Sequence, residues 1–252
     1  MLFQLKPILF STRFDLFTWL LMKTGIHRWL LNNPGGWLVF DITFYSMPFL
    51  HWLTYRKNPR LASIVAALML VVNWLYIQCF TLYPTNSIEA FTPWLLFPIL
   101  FMTVDLKSFY FIFHALRYFF LYFFVSAAVW KFVQEGIFNP QQMSAILLYH
   151  HKEYIASSPA GWYTSFTYWL INHAHLSYIL YAGATLLELT FITGFFTRKF
   201  DKALAAGFIF FLLLDHFIMR IPYWEMSPFL LTLLYSKYSL PSIYSSHARK
   251  VM

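Results

Sequence analysis

Five titratable positions interrupt long apolar runs: Arg117 and Lys131 in one run, Glu188 in the next, and the adjacent Asp215 and His216 in a third. A charge held in hydrocarbon costs roughly 2.5–3.5 kcal/mol on insertion scales, so each is expected to be paired or to line a cavity. Lysine, histidine and carboxylates are also the side chains that move protons in catalysis. The candidate acid–base set is therefore Lys131, His216, Asp215 and Glu188. Arg117, Trp130 and Glu225 are the candidates to hold a cofactor.

Depth along a helix sorts these groups, at about 1.5 Å per residue. Arg117 lies about 14 Å from the basic-loop end of its segment and Glu188 about 12 Å from that of its own, which predicts a buried ion pair between them. Such a pair can equally do no more than fix helix register. Lys131, Asp215 and His216 fall near the opposite end, where Arg220 and Glu225 flank a tight turn, and they predict a second polar cluster. The plainer reading of Lys131 is a lysine reaching along its stem to the headgroups. The plainer reading of a histidine in a span is a structural hydrogen bond. His114, three residues before Arg117, is placed to share its surroundings. His150, His151, His173 and His175 lack diagnostic ligand spacing, and no metal site is assigned to them. No nucleotide-binding glycine loop, nucleophile elbow or zinc-protease motif is present.

The elements that must position these groups follow from composition. The chain is 60% hydrophobic, 23% aromatic and only 11% charged, whereas soluble domains carry about 25% charged residues. The apolar runs are continuous rather than alternating, which selects helices over a β-barrel as the spanning solution. The expected fold is all-α, a polytopic transmembrane bundle of six or seven spans with interfacial helices. Cys79, the single cysteine, excludes an internal disulfide and a CxxC pair. The formal charge of +8 is dispersed over short loops and termini, a pattern that sets topology and not one that binds nucleic acid.

Phe14 to Leu31, interrupted by Lys23, His27 and Arg28, reads either as an interfacial amphipathic helix or as an imperfect first span. No signal-cleavage pattern occurs in Met1 to Asn33, so this region (1–36) is expected to be retained. The bundle proper is expected over 37–236, with spans at Trp37–Thr54, Leu61–Thr81, Phe91–Val104, Ser108–Val133, Leu176–Phe196, Ala203–Met219 and Tyr223–Ser236. Short surface helices are expected at Pro140–Tyr154 and Gly161–Asn172, within the polar interval 134–175. Arg56, Lys57 and Arg60, then Arg198, Lys199 and Lys202, then the tail 237–252 with Lys237, Arg249 and Lys250, all fall on one side. The positive-inside rule makes that side cytoplasmic. Pro84–Ala90 and Gln134–His175 face the other way.

The run from Tyr122 to Trp130 and Lys131, followed by Gln134-Glu135-Gly136, resembles the signature of the vitamin K-dependent γ-glutamyl carboxylase transmembrane module, the HTTM domain. Glu188 falls at that family's acidic position on the next long helix, Arg198 at its basic turn, His216 at its helix-borne histidine and Met226 to Leu234 at its closing span. Tyr55-Arg56 also fits, so the likeness runs from about Trp37 to Ser236. The resemblance implies that Lys131 is a base and that the cofactor, which the residues do not name, is an isoprenoid quinol. Carboxylases continue into a large soluble domain, whereas this chain stops shortly after Tyr238. Asp105-Leu106-Lys107 also offers no match to their functional histidine. Protein-glutamate carboxylation is therefore not expected. What the resemblance leaves is an enzyme acting on an amphiphilic lipid, quinone or lipid-linked substrate, in an inner membrane, with membrane lipids as partners. The alternative is a non-catalytic subunit that anchors partner membrane proteins, suggested by the aromatic stretch Gly161–Tyr178. No internal repeat or paired broken helices point to a transporter.

Overall fold

The computed structural model describes residues 23–80, 91–103, 105–221 and 223–236. Residues 14–22 of the expected segment Phe14–Leu31, the interval Pro84–Ala90 and the tail bearing Lys237, Arg249 and Lys250 lie outside the described residues. Among those described, the fold is all-α with no strand. Four helical stretches are long and apolar enough to cross a membrane: Pro59–Cys79, Leu106–Val133, Ala174–Phe196 and Asp201–Met219. The chain divides into two compact units, Met1–Glu89 with Phe97–Met102, and Ala90–Leu96 with Thr103–Met252.

The first unit contains α1 (Ile26–Asn32), α2 (Pro34–Lys57) and α3 (Pro59–Phe80). Local chemistry sets their boundaries. The Asn33 side chain accepts from the amides of Gly35 and Gly36 at 3.1 and 3.2 Å, and Pro34 occupies the first turn, where no amide is needed. Asn58 repeats the device before Pro59, accepting from the amides of Arg60 and Leu61 at 3.0 and 3.3 Å. Helix α2 runs longer than the expected Trp37–Thr54. It carries Asp41, whose carboxylate accepts from the Tyr76 hydroxyl of α3 at 2.8 Å. The Tyr76 ring stacks on Phe44 with centroids 4.0 Å apart.

Helix α4 (Thr92–Phe101) is ten residues, and the boundary between the units falls within it. The second unit then contains α5 (Leu106–Val133), a 3₁₀ turn at Gly136–Phe138, α6 (Gln142–Ser157), α7 (Trp162–Asn172), α8 (Ala174–Thr190), the single turn α9 (Thr193–Phe196), α10 (Asp201–Met219), a 3₁₀ turn at Tyr223–Met226 and α11 (Phe229–Tyr235). Asp105 caps α5 by accepting from the Ser108 amide at 2.7 Å. Glu135 and Arg220 adopt left-handed backbone, φ 57° and 54°, at the two ends where α5 and α10 stop.

The expected span Leu176–Phe196 falls on the apolar stretch Ala174–Phe196, within which α8 ends at Thr190 and the chain turns before α9. One expected segment is corrected: Tyr223–Ser236 is not one continuous helix, because Ser227 and Pro228 separate the 3₁₀ turn from a seven-residue helix, about 10 Å long.

The core of the second unit is aromatic. Phe120 packs on Phe208 and Phe229 with centroids 4.9 and 5.0 Å apart, and Phe124 on Phe191 at 4.6 Å. These contacts tie α5 to α10, α11 and the end of α8. Offset and edge-on aromatic pairs each add about 0.5–1.5 kcal/mol beyond their burial.

Candidate functional site

Arg117, Phe120, Leu121, Phe124 and Ala128 of α5 are buried and recur at helical spacing, and Lys131 continues the row. The two charged residues sit about 21 Å apart along the helix, with the aromatic core between them. Each has its own partner.

Arg117 is fully buried. Its Nε donates to Oδ2 of Asp201 at 3.1 Å, and its Nη2 donates both to Oδ1 of Asp201 and, at 2.9 Å, to the Gly194 carbonyl. This two-point fork is the geometry for which guanidinium is suited. The site leaves little room elsewhere, since a Cβ at Gly194 would meet Leu121 Cδ2 at 2.6 Å. Nearby, Arg198 donates to the Ser236 carbonyl at 2.7 Å and lies 3.0 Å from Nε2 of His114.

The expected Arg117–Glu188 pair is therefore replaced. Glu188 holds Lys131, whose Nζ lies 2.8 Å from both carboxylate oxygens. The cause is geometric. Phe124 meets Phe191, Lys131 meets Glu188, and the Ile137 carbonyl accepts from Tyr178 at 2.8 Å, so α5 and α8 run antiparallel. Side chains lean toward the N-terminus of their own helix. Lys131, near the C-terminal end of α5, leans inward along the bundle, and Glu188, near that of α8, leans toward it. The lysine stem reaches into the protein, toward Glu188. Glu188 is buried, and Lys131 is about three-quarters so. Nζ also lies 5.3 Å from the Tyr181 ring centroid, a cation–π distance.

Beside this pair a cavity of about 560 Å³ opens between α8 and α10, floored by α6. Lys131, Tyr181 and Asp215 are its polar lining, and Ile179, Phe210 and Leu214 are among its apolar walls. Ile179 and Phe210 are themselves 64% and 56% exposed, so the cavity opens on the apolar flank of the spanning helices. Asp215 is within electrostatic reach of both Lys131 and Glu188. Its Oδ2 is shielded from solvent and finds no hydrogen-bond donor among the described residues. The volume is in the range of small-molecule sites, roughly 300–1,000 Å³.

Three of the four acid–base candidates, Lys131, Glu188 and Asp215, are thus brought together. His216 is not: one residue on from Asp215, it turns about 100° around α10, is exposed, and lies 5.8 Å from the Trp224 ring. Trp130 is 62% exposed for the same reason, being one residue from Lys131. Arg117 belongs to the other end of α5, and Glu225 sits on the 3₁₀ turn after α10. None of these four lines the cavity.

Two further clusters escaped the sequence. Asp201 was hidden among Arg198, Lys199 and Lys202; as the acidic residue of α10's first turn, it is well placed to meet a buried cation. The second cluster closes the far end of α10. The Ile218 carbonyl, one of the last four of its helix, accepts from Tyr163 Oη at 2.7 Å and from His151 Nε2 at 3.0 Å. Arg220 covers the rings of Tyr154 and Tyr163 at 4.3 and 4.9 Å. Burial is the main influence on His151 and holds its pKa below the ordinary 6.5. The Ile218 carbonyl opposes it, and His150 and Arg220 add to it. Burial pushes the Tyr163 phenol up. No group of three or more His, Cys, Asp or Glu among the described residues is arranged to hold a metal ion.

No protein-family model, curated protein or solved structure matches this chain.

Proposed function

We propose that this chain is a carboxylase-like (HTTM) integral membrane enzyme that acts on an amphiphilic lipid, quinone or lipid-linked substrate, with Lys131 as base. The observation that carries the reading is Lys131, held by Glu188 and set on the wall of a cavity that opens between apolar helix flanks. In this reading six or seven segments form the bundle in a bacterial inner membrane. The basic turns and the C-terminus are cytoplasmic, and the Lys131 end faces outward.

A protonated lysine is not a base. Glu188, 2.8 Å away, is positioned to take the Nζ proton, leaving a neutral amine beside a neutral acid. That transfer removes two charges from a poorly hydrated site, which burial favours. The free amine then accepts a proton from a substrate X–H bond in the cavity, and the ion pair is restored when Glu188 passes its proton to the departing product. Tyr181 borders the path of Nζ, and Asp215 offers a hydrogen-bond acceptor for the substrate head.

An isoprenoid quinol fits these residues as cofactor: Ile179, Phe210 and Leu214 suit its tail, and Asp215 on the cavity wall suits a ring hydroxyl. When bound, it would supply two electrons and two protons on oxidation. The test is quinol-dependent oxygen uptake by the purified protein in lipid nanodiscs. Wild type is expected to consume quinol, and Lys131→Ala to be inactive while still eluting as the folded protein. Full activity in Lys131→Ala refutes the base assignment.

A second reading, a non-catalytic subunit that anchors partner membrane proteins, draws on exposed Trp162 and Trp169 of α7, 70% and 47% accessible. It predicts that their replacement by serine releases a co-purifying partner while Lys131→Ala does not.

A further inference from the structure

We infer that the cavity selects its ligand by charge: it takes an amphiphile whose head is a hydrogen-bond donor, an ammonium or a hydroxyl, and rejects carboxylate and phosphate heads. This rests on the reading of the cavity as a lipid-derived site and narrows the ligand class.

The argument is a count of charges and donors. In the ion-paired resting state, the Lys131 ammonium at the cavity wall faces two carboxylates, Asp215 on the same wall and Glu188 behind it. Lys131 is engaged by both oxygens of Glu188 at 2.8 Å, so its charge is already matched. Asp215 lines the cavity and then stands as the unmatched carboxyl, with no donor reaching its Oδ2 among the described residues. An acceptor group left unmatched on an apolar wall favours a ligand that brings an N–H or O–H to it. Tyr181 adds a ring beside Nζ, and aromatic faces attract cations. An anionic head meets the reverse: acceptor against acceptor, and a third negative charge in a weakly screened space. Lys131 does not rescue it, because binding the anion would strip Glu188 of its partner. The remaining walls are apolar, so the tail provides affinity and the head provides selection.

A chain-matched series reads this directly. Dodecylamine, dodecanol and dodecanoate are titrated against the purified full chain in detergent micelles, and bound adducts are counted by native mass spectrometry. The amine and the alcohol are expected to bind, and dodecanoate on the order of 100-fold more weakly than the amine. Asp215→Asn should bring the amine and carboxylate to within about threefold of each other. Glu188→Gln, which removes the other carboxylate, is the second variant should Asp215→Asn fail to assemble, and it should erode the same preference. Leu214→Trp, which fills the cavity, should abolish all binding. Dodecanoate binding as tightly as the amine overturns the inference while leaving the cavity reading intact. So does selectivity unchanged in Asp215→Asn. Binding of none of the three to wild type, or binding untouched by Leu214→Trp, overturns the cavity reading itself.

Discussion

Replacing Asp201 by asparagine keeps the shape of the Arg117 site and removes its charge. Both carboxylate oxygens accept from the guanidinium, so the amide keeps at most one of those two bonds and makes it a weaker, neutral one. Arg117 is fully buried and retains as its other acceptor only the Gly194 carbonyl. Breaking one side of a buried pair costs about 3 kcal/mol, at the lower end of the usual range because two acceptors survive. For a chain of this length that lowers the melting temperature by ~6–12 °C. The assay is thermal unfolding of the purified protein in one detergent at fixed protein concentration. Arg117→Met with Asp201→Leu removes both charges at similar volume, and the double variant should return to within ~3 °C of wild type. Arg117→Lys should not substitute, because an ammonium cannot reach both Asp201 oxygens and the Gly194 carbonyl with the same fork. An Asp201→Asn protein that melts with wild type, or a double variant as unstable as the single, refutes the claim that this pair holds α5 to the start of α10.

Two further outcomes follow from the same packing. Gly194→Ala places a methyl 2.6 Å from Leu121 Cδ2 and should destabilise by about 1–3 kcal/mol; Leu121→Ala in the same chain should recover part of that loss, giving a non-additive cycle in the unfolding assay. His151 is held neutral in the folded state, so the unfolded chain binds the extra proton and stability falls as pH drops below 6.5 toward the lower folded value. Up to about 2 kcal/mol should be lost between pH 7 and 5, and His151→Gln, which keeps a donor for the Ile218 carbonyl, should flatten that slope. An unchanged slope contradicts the burial argument.

The helical class and most helix positions were legible because lipid-facing helices advertise themselves as continuous apolar runs, and because Asn33, Asn58 and Asp105 mark helix starts. Lys131, Glu188 and Asp215 were legible as charges out of place. Their partners were not. Depth measured from each helix's own end says nothing of the axial offset between helices. Here the offset brings the Gly194–Asp201 turn to Arg117, while Glu188 meets Lys131, about four turns further along α5. Asp201 lies between Lys199 and Lys202, in a turn whose sequence signal is its cations. Of the adjacent pair Asp215 and His216, which point about 100° apart, only structure shows that it is Asp215 that faces the cavity. Tyr163 and His151 gave no signal, since their acceptor is a backbone carbonyl 55 and 67 residues away.

The account turns on a cavity that admits amphiphiles from the membrane to the Lys131–Glu188–Asp215 group. Photolabelling with a diazirine-bearing long-chain alcohol, followed by peptide mapping, tests this most directly. The expected adducts concentrate on Ile179, Leu214 and Ile218 and disappear in Leu214→Trp. Labelling spread evenly over the exposed apolar flanks, and unchanged in Leu214→Trp, would contradict it.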